Sequence, residues 1–512
     1  MTDYILAIDQ GTSSSRAIIF DHDGRQVVSS QKEIQQYYPQ AGWVEHDAKE
    51  IWHSVQTVVA DCFIKSGIGP GQIAAIGITN QRETSLIWDR HTGEPIHRAI
   101  VWQSRQTTRI TDDWVKDGLA GLVQEKTGLV IDAYFSASKI VWLLEQVPGA
   151  RASAQAGDLL FGTIDTWLLW QLTGGQVHAT DVTNASRTML FNIHDRVWDQ
   201  ELLERFNIPE SLLARVYPNT TIYGYTSGYL FEGHQIPIAA MIGDQQAGLF
   251  GQLAFEPGMV KTTYGTGAFM MMNTGNRPVV SDHQLLTTLA YQIGDQAVYA
   301  LEGSIFVAGS AVQWLRDGLE LISDSKETQA LAMTATGQED AIYLVPAFTG
   351  LGAPYWDPYA RGTIFGLTRD TSKADVVRAT LQAIAYQVYD ILATMESDTG
   401  IAIKSLKVDG GASENTYLMQ FQSDIIQGAI DLSKEKETTA LGAAFLAGLA
   451  VGYWQSMDDL KQLNPVAHQF QAKISEEKRR QYLRGWHQAV AASRYFGQAR
   501  GGTNYEKGLN KP

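Results

Sequence analysis

The chain has 512 residues, 44% apolar and 19% charged, with 40 Lys and Arg against 55 Asp and Glu for a formal charge of −15. At ~100–200 residues per domain this is too long for one compact domain and predicts two large or three ordinary ones; the apolar fraction excludes a mainly disordered chain. The negative charge argues against nucleic acid or an anionic membrane surface as the main partner, but not against a small anionic ligand, whose site is built locally from backbone N–H groups and a few cations.

A single cysteine, Cys62, excludes internal disulfides and multi-thiolate metal sites and suits a reducing compartment. The N-terminus has no basic segment and meets an acid at Asp3, so no signal peptide is expected. The longest uncharged apolar stretch, Ala440–Trp454, is shorter than the ~20 residues that cross a bilayer and reads as a buried helix. The expectation is a cytoplasmic α/β protein without membrane insertion.

In chain order, Tyr4–Ile8 predicts a strand running into the polar turn Asp9-Gln10-Gly11-Thr12-Ser13-Ser14-Ser15-Arg16, with a second strand at Ala17–Phe20 and a third at Gln26–Ser30 after His22-Asp23-Gly24. Strand, Gly/Thr/Ser turn, strand is a hairpin rather than the start of a βαβ unit. Asp47 with Glu50 is a capping-box pattern opening a helix whose Ile51, Val55, Val58, Val59 and Cys62 share one face. Buried strands at Ala74–Thr79 and Ile238–Ile242 end in Asn80-Gln81-Arg82-Glu83 and Gly243-Asp244-Gln245-Gln246. Composition changes near Glu256-Pro257-Gly258, placing a boundary at about residue 252 and giving domains 1–252 and 253–495. The second half holds Val260–Gly267, Leu406–Ala412, helices near 415–428 and 438–452, an amphipathic helix over 474–495 and a tail, 496–512, expected to be flexible. Gly11-Thr12 and Gly265-Thr266-Gly267 echo each other as turns between strands.

The chain has no Gly-Lys dipeptide and no G-x-G-x-x-G, which excludes a Walker A loop, a dinucleotide fingerprint and a protein-kinase glycine loop. The octet 9–16 offers another phosphate site: Gly11 lets the backbone approach an anion, the hydroxyls donate, and Arg16 adds a cation. Asp9 can hold Mg²⁺ through water. The alternative is an ordinary polar hairpin in which Asp9 bonds its own turn. Gly265-Thr266-Gly267 and Asp409-Gly410-Gly411 are each tight turns on their own; with the octet they suit a nucleotide in a cleft between two related domains. Asp244 is either a helix N-cap or a base for an attacking hydroxyl. Arg82-Glu83 is an ion pair or a polyol clamp, and Trp102 and Tyr134 are core aromatics or pocket walls. His234 reads as a solvated loop histidine, and Lys434-Glu435-Lys436-Glu437 as a solvated face.

Asp-Gln-Gly-Thr-Ser-Ser-Ser-Arg at 9–16, Gly-Trp-Val-Glu-His-Asp at 42–47, Gly-Ile-Thr-Asn-Gln-Arg-Glu-Thr at 77–84, Phe-Gly-Thr-Ile-Asp-Thr-Trp at 161–167 and the block at 183–194 resemble the FGGY carbohydrate-kinase family. So do Gly-Asp-Gln-Gln at 243–246, Thr-Tyr-Gly-Thr-Gly at 263–267, the block at 345–358 and Val-Asp-Gly-Gly-Ala at 408–412, so the resemblance runs from about residue 4 to 495. It implies two actin-like (ribonuclease-H-like) ATPase domains with the active site between them, and phosphorylation of glycerol to sn-glycerol 3-phosphate by ATP with Mg²⁺. By the same resemblance Arg82, Glu83, Tyr134, Asp244 and Gln245 hold glycerol, Trp102 walls it, and Asp244 is the base. Thr12, Ser13, Ser14, Arg16 and Thr266 meet the phosphates; Gly309, Gln313, Gly411 and Asn415 line the rest of the nucleotide; Asp9 sits near the metal. A homodimer or homotetramer is implied.

The loop Tyr229–Gln235 lacks the glycine run and arginine with which some bacterial members bind fructose 1,6-bisphosphate. At the position of the histidine phosphorylated in certain Gram-positive members it has Leu230, so both forms of control are expected to be absent. A kinase for another polyol or sugar, and an actin-like ATPase scaffold without a small acceptor, are the competing readings.

Overall fold

Two mixed sheets built on one plan organise residues 3–336 and 341–501, the part of the chain that the computed structural model describes. The first contains β1 (Tyr4–Gln10), β2 (Ser14–Phe20), β3 (Gln26–Glu33), β4 (Ile73–Asn80), β5 (Thr220–Tyr225) and β6 (Pro237–Gly243), in the order β5-β6-β4-β1-β2-β3. Ile5–Ile8 are all fully buried, as expected of a strand covered on both faces. β1 is antiparallel to β2 and parallel to β4, which is parallel to β6. Gln10, Asn80 and Gly243 are in register, so three parallel strands end on one edge and release Gly11, Gln81 and Asp244 there.

The second sheet contains β7 (Met259–Tyr264), β8 (Ala268–Gly275), β9 (Leu286–Ile293), β10 (Gln296–Ile305), β11 (Ser405–Asp409), β12 (Ile430–Ser433) and β13 (Val466–Phe470), in the order β9-β10-β8-β7-β11-β12-β13. β7 repeats the role of β1: it is antiparallel to the next strand and parallel to β11, with Thr263 opposite Asp409. The echo between Gly11-Thr12 and Gly265-Thr266-Gly267 is therefore a repeated hairpin turn.

The helices that bear on the site are α1 (Ala48–Ser66), α2 (Ser136–Gln146), α3 (Asp244–Gly251), α4 (Thr416–Ile426), α5 (Thr438–Ala450) and α6 (Glu476–Gly501). α5 packs on β1, β4 and β6 of the first sheet and crosses α3, so one core draws on both halves of the chain. The approach is backbone to backbone. A Cβ on Gly77 would lie 2.3 Å from the Ala443 carbonyl oxygen, and one on Gly442 would lie 2.0 Å from that of Ala247.

Three expectations change. The first turn is only Gly11-Thr12-Ser13, because Ser14, Ser15 and Arg16 pair into the ladder and Ser15 bonds Ser54 at 2.7 Å from inside the core. Asp47 caps α1, accepting from Lys49 N–H at 2.8 Å, but Glu50 accepts the Gln35 N–H at 2.8 Å instead of closing a capping box. The apolar face of α1 is buried as its spacing predicts. α6 continues to Gly501, so residues 496–501 of the expected tail are helical; a Cβ on Gly497 would meet the Tyr359 carbonyl oxygen at 2.3 Å, a close approach rather than a fraying end. The rest of that tail, 502–512, lies outside the described residues. Among the described residues no helix is long and apolar enough to cross a membrane.

Candidate active site

Beyond the ends of β4 and β6 the chain concentrates charge. Arg82, 3% exposed, donates from Nη1 and Nη2 to the two oxygens of Glu302 at 2.7 and 2.9 Å, and from Nη1 to Gln246 Oε1 at 3.1 Å. Its Nε lies 3.2 Å from Asp244 Oδ1. Glu83 adopts φ 59° and accepts from Arg187 Nε at 2.6 Å. Two arginines and two carboxylates thus form one buried array drawn from both halves of the chain. The cations are shared unequally. Burial would raise both acids, but at Glu302 Arg187 and Arg82 outweigh it and hold the carboxyl down at about 2; at Glu83 burial wins and the carboxyl sits above its usual range.

Glu302 and Arg187 are functional candidates that the sequence reading missed. Arg187 Nη1 is buried without a hydrogen bond, 3.4 Å from Glu302 Oε2, and the guanidinium lies 5.7 Å from the Tyr134 ring centroid. Arg187 lies in the block 183–194 that carries the resemblance, which is the signal that could have found it; nothing in the local sequence of Glu302 marks it, since it meets Arg82 only through the fold.

A cavity of about 650 Å³ opens above the array, lined by Trp102, Tyr134, Phe135, Thr266, Phe269 and Glu302 among others. Arg82 and Glu83 lie beneath this wall rather than in it. Trp102 stands edge-on to Tyr134, ring centroids 5.5 Å apart, and its indole N–H donates to Thr12 Oγ1 at 2.9 Å. Trp102 is therefore more than an apolar wall: it ties the cavity to the first hairpin turn.

Asp244 opens α3, but Gly243 is the N-cap; Asp244 Oδ1 accepts the adjoining Gln245 N–H at 2.7 Å and the side chain is 32% exposed. Gln245 Oε1 accepts from Lys261 Nζ at 2.9 Å, a buried cation from the second sheet. Asp9, opposite Arg16 in the ladder, has no hydrogen-bond partner for its carboxylate among the described residues. Burial, reinforced by Asp244 and opposed by Arg16, pushes it up to about 6. An unpartnered carboxylate beside a second one is relieved by a divalent cation, and Mg²⁺, which keeps most of its waters, needs few protein ligands besides Asp9. Among the described residues no cluster of three or more potential ligands exists that would suit a drier metal site.

The predicted nucleotide residues fall into two groups. Thr12 and Ser13 stand in the first hairpin turn, Ser14 begins the strand after it, and Thr266 stands at the second turn, where its carbonyl accepts the N–H of Ala308 at 2.9 Å and of Ser310 at 3.0 Å. Ser14 Oγ accepts from Gln31 at 2.9 Å, while the Ser13 carbonyl accepts the Ile34 N–H at 3.0 Å. Arg16 is not free: it pairs with Glu437 across the halves and donates to Gln31 at 2.9 Å. Residues 434–437 are accordingly not a plain solvated face, since Lys436 also pairs with Glu414. Gly309 begins a short helix and donates its N–H to the Gly265 carbonyl at 3.0 Å, with Gln313 at the exposed end of that helix. Gly411 faces open space, and Asn415 spends its side chain as the N-cap of α4 and on Thr328 at 3.1 Å. His234 is exposed, as read.

Residues 4–251 match the profile of the N-terminal domain of the FGGY family of carbohydrate kinases, and residues 260–451 match that of its C-terminal domain. The chain belongs to the FGGY family of carbohydrate kinases. A glycerol kinase of Lactobacillus acidophilus is 59% identical over 493 residues, covering 96% of this chain and 98% of that protein. One of Streptococcus agalactiae is 60% identical over 495 residues, covering 97% and 98%. The crystal structure of Plasmodium falciparum glycerol kinase with ADP superposes with a TM-score of 0.92 at 38% identity, covering 96% of this chain and 98% of that one. A xylulose kinase of Lactobacillus acidophilus, 23% identical with a TM-score of 0.85 over 98% and 99% of the two chains, shares the fold. This FGGY chain thus has two actin-like α/β halves, each built on a hairpin with a parallel neighbour, and its charged array lies where they meet.

Proposed function

We infer that the chain transfers the γ-phosphoryl group of ATP to glycerol, giving sn-glycerol 3-phosphate and ADP. The observation that carries this reading is the buried array of Arg82, Glu83, Arg187 and Glu302 under Tyr134 and Trp102, next to Asp244. Neighbouring hydroxyls of a small triol need donors and acceptors in alternation with an apolar wall for the carbons, and this site provides both.

Arg82, Glu83, Tyr134 and Gln245 orient glycerol with one primary hydroxyl toward Asp244. Asp244 is fixed by Arg82 Nε and its neighbour's N–H and accepts the hydroxyl proton. The hydroxyl oxygen forms a bond to the γ-phosphorus in line with the breaking bond to the β–γ bridging oxygen, which leaves with ADP. Thr12, Ser13, Ser14 and Arg16 hold the phosphates from one hairpin and Thr266 from the other; Gly309, Gln313, Gly411 and Asn415 line the remainder of the nucleotide. Arg16 exchanges Glu437 for phosphate when the nucleotide enters. Asp9 would hold Mg²⁺, with Asp244 beside it, and the ion would supply charge neutralisation on the transferring phosphoryl group. Closing the two halves excludes water, a competing acceptor.

The halves divide at about residue 252 into domains 1–252 and 253–495, with α5 of the second domain lying on the first sheet. The same reading makes the chain cytoplasmic, which its single buried thiol suits, and a homodimer or homotetramer, to be read by sedimentation. Phosphorus NMR of the reaction mixture tests the chemistry: one phosphomonoester, oxidised fully by an sn-glycerol-3-phosphate-specific dehydrogenase, is expected. Inorganic phosphate as the sole product would contradict the reading.

A further inference from the structure

Beneath Tyr134 lies a cation that the transfer chemistry does not use. α2 carries Lys139 with its whole side chain inside the protein. Its Nζ donates to the carbonyls of Ala133 at 2.8 Å, Tyr134 at 2.5 Å and Phe135 at 3.0 Å. Three consecutive carbonyls turn to one point: those of Ala133 and Tyr134 precede α2, and that of Phe135 is at its N-cap, and a buried carbonyl left without a donor costs free energy comparable to a lost hydrogen bond. An ammonium has three N–H groups, one for each; a planar guanidinium cannot converge on them in the same way, and a neutral amine is one donor short.

The segment so gathered makes the wall of the cavity. Tyr134 meets Trp102 edge-on, Arg187 lies over the Tyr134 and Phe135 rings at 5.7 and 5.2 Å, and the Ser136 hydroxyl donates to the Glu83 carbonyl at 3.1 Å. The charged groups that act on Lys139 are Glu83 and Asp132, which favour its ammonium, and Arg105, which opposes it; burial, joined by Arg105, outweighs the two acids and pushes it down to about 7.

We propose that Lys139 is a positioning residue for the polyol: its ammonium gathers the carbonyls of residues 133–135 and so fixes Tyr134 and Phe135 against Arg187 and Glu83. The proposal rests on the reading of this site as the glycerol pocket. A lysine that merely stabilises the fold would lower melting temperature without singling out one substrate.

The test uses full-length K139M and K139R with glycerol and MgATP varied separately. Both variants are expected to raise KM for glycerol by ~10-fold or more, the effect of a small misplacement of a binding group, with KM for ATP changed by less than about twofold. A native glycerol KM in a folded variant, or parallel losses in both KM values with a lower melting temperature, overturns the proposal. If neither variant folds, the native chain decides. Its glycerol KM should rise severalfold from pH 6.5 to 8.5 as one N–H is lost, with the ATP KM flat. A flat or falling glycerol KM over that range overturns the proposal. A native chain without glycerol-dependent turnover counts against the function itself, whereas an active native chain with indistinguishable variants counts against Lys139 alone.

Discussion

Asp244 and Asp9 are two carboxylates in one cleft with different neighbours. Asp244 is oriented by Arg82 Nε at 3.2 Å and by the Gln245 N–H, which suits a base. Asp244→Asn keeps that shape but cannot take the proton, so kcat should fall by ~10²-fold or more with little change in KM for glycerol. Near-normal turnover in stopped assays would reduce Asp244 to a positioning group. Asp9, pushed up to about 6 by burial, binds its proton more tightly folded than unfolded. Its charge therefore destabilises the metal-free chain above pH 6, and the cost shrinks as pH falls toward the ordinary carboxylate value. Asp9→Asn should raise the melting temperature at pH 7, by roughly 1–3 kcal/mol of stability, with the gain shrinking from pH 6 to pH 4, and should abolish Mg²⁺-dependent activity. A lower melting temperature at pH 7 would show that Asp9 is not strained by burial.

At the scale of elements, the site is assembled by strand register and by helices that touch backbone to backbone. α3 and α5 meet where a Cβ on Gly442 would sit 2.0 Å from the Ala247 carbonyl oxygen and one on Gly251 would sit 2.0 Å from that of Thr438. Gly442→Ala should cost ~1–3 kcal/mol in urea unfolding, as overpacking does, and lower activity because α3 begins with Asp244. An unchanged midpoint would mean that the crossing relaxes freely. Much of this framework is legible in the sequence. The alternation of apolar runs with Gly-bearing turns marks both hairpins, and the small-residue composition of 438–450 marks a buried helix. Arg82 and Asp244 are legible because each directly follows a buried strand. Glu302 is not: within Tyr299-Ala300-Leu301-Glu302-Gly303 it is one acid in a strand, and the arginine it holds is far away in the chain. Lys139 is hidden for a related reason, since a lysine in a helix ordinarily reaches solvent and nothing in Ser-Ala-Ser-Lys-Ile turns it inward. Asn415 has a further role that the sequence does not mark, its side chain capping α4.

Over the whole molecule, besides the packing of α5 on the first sheet, polar contacts of two kinds join the two halves. Arg82–Glu302 is buried at the floor of the cleft, where breaking one partner leaves an uncompensated charge, and buried Lys261 reaches half-buried Gln245 beside it. Arg16–Glu437, with side chains 25% and 32% exposed, is the weak kind of pair, and phosphate can displace Glu437 from it at little cost. A buried floor and a rim that opens fit a cleft that admits ATP above a preformed glycerol site. The central claim is that turnover requires glycerol, and ADP release from MgATP measures it directly, with glycerol, with a panel of pentoses and hexoses, and with no acceptor. Glycerol-dependent turnover on the order of tens per second, with near-silence otherwise, is predicted. ADP release at the same rate whatever the acceptor would contradict the account and leave the cleft an ATPase.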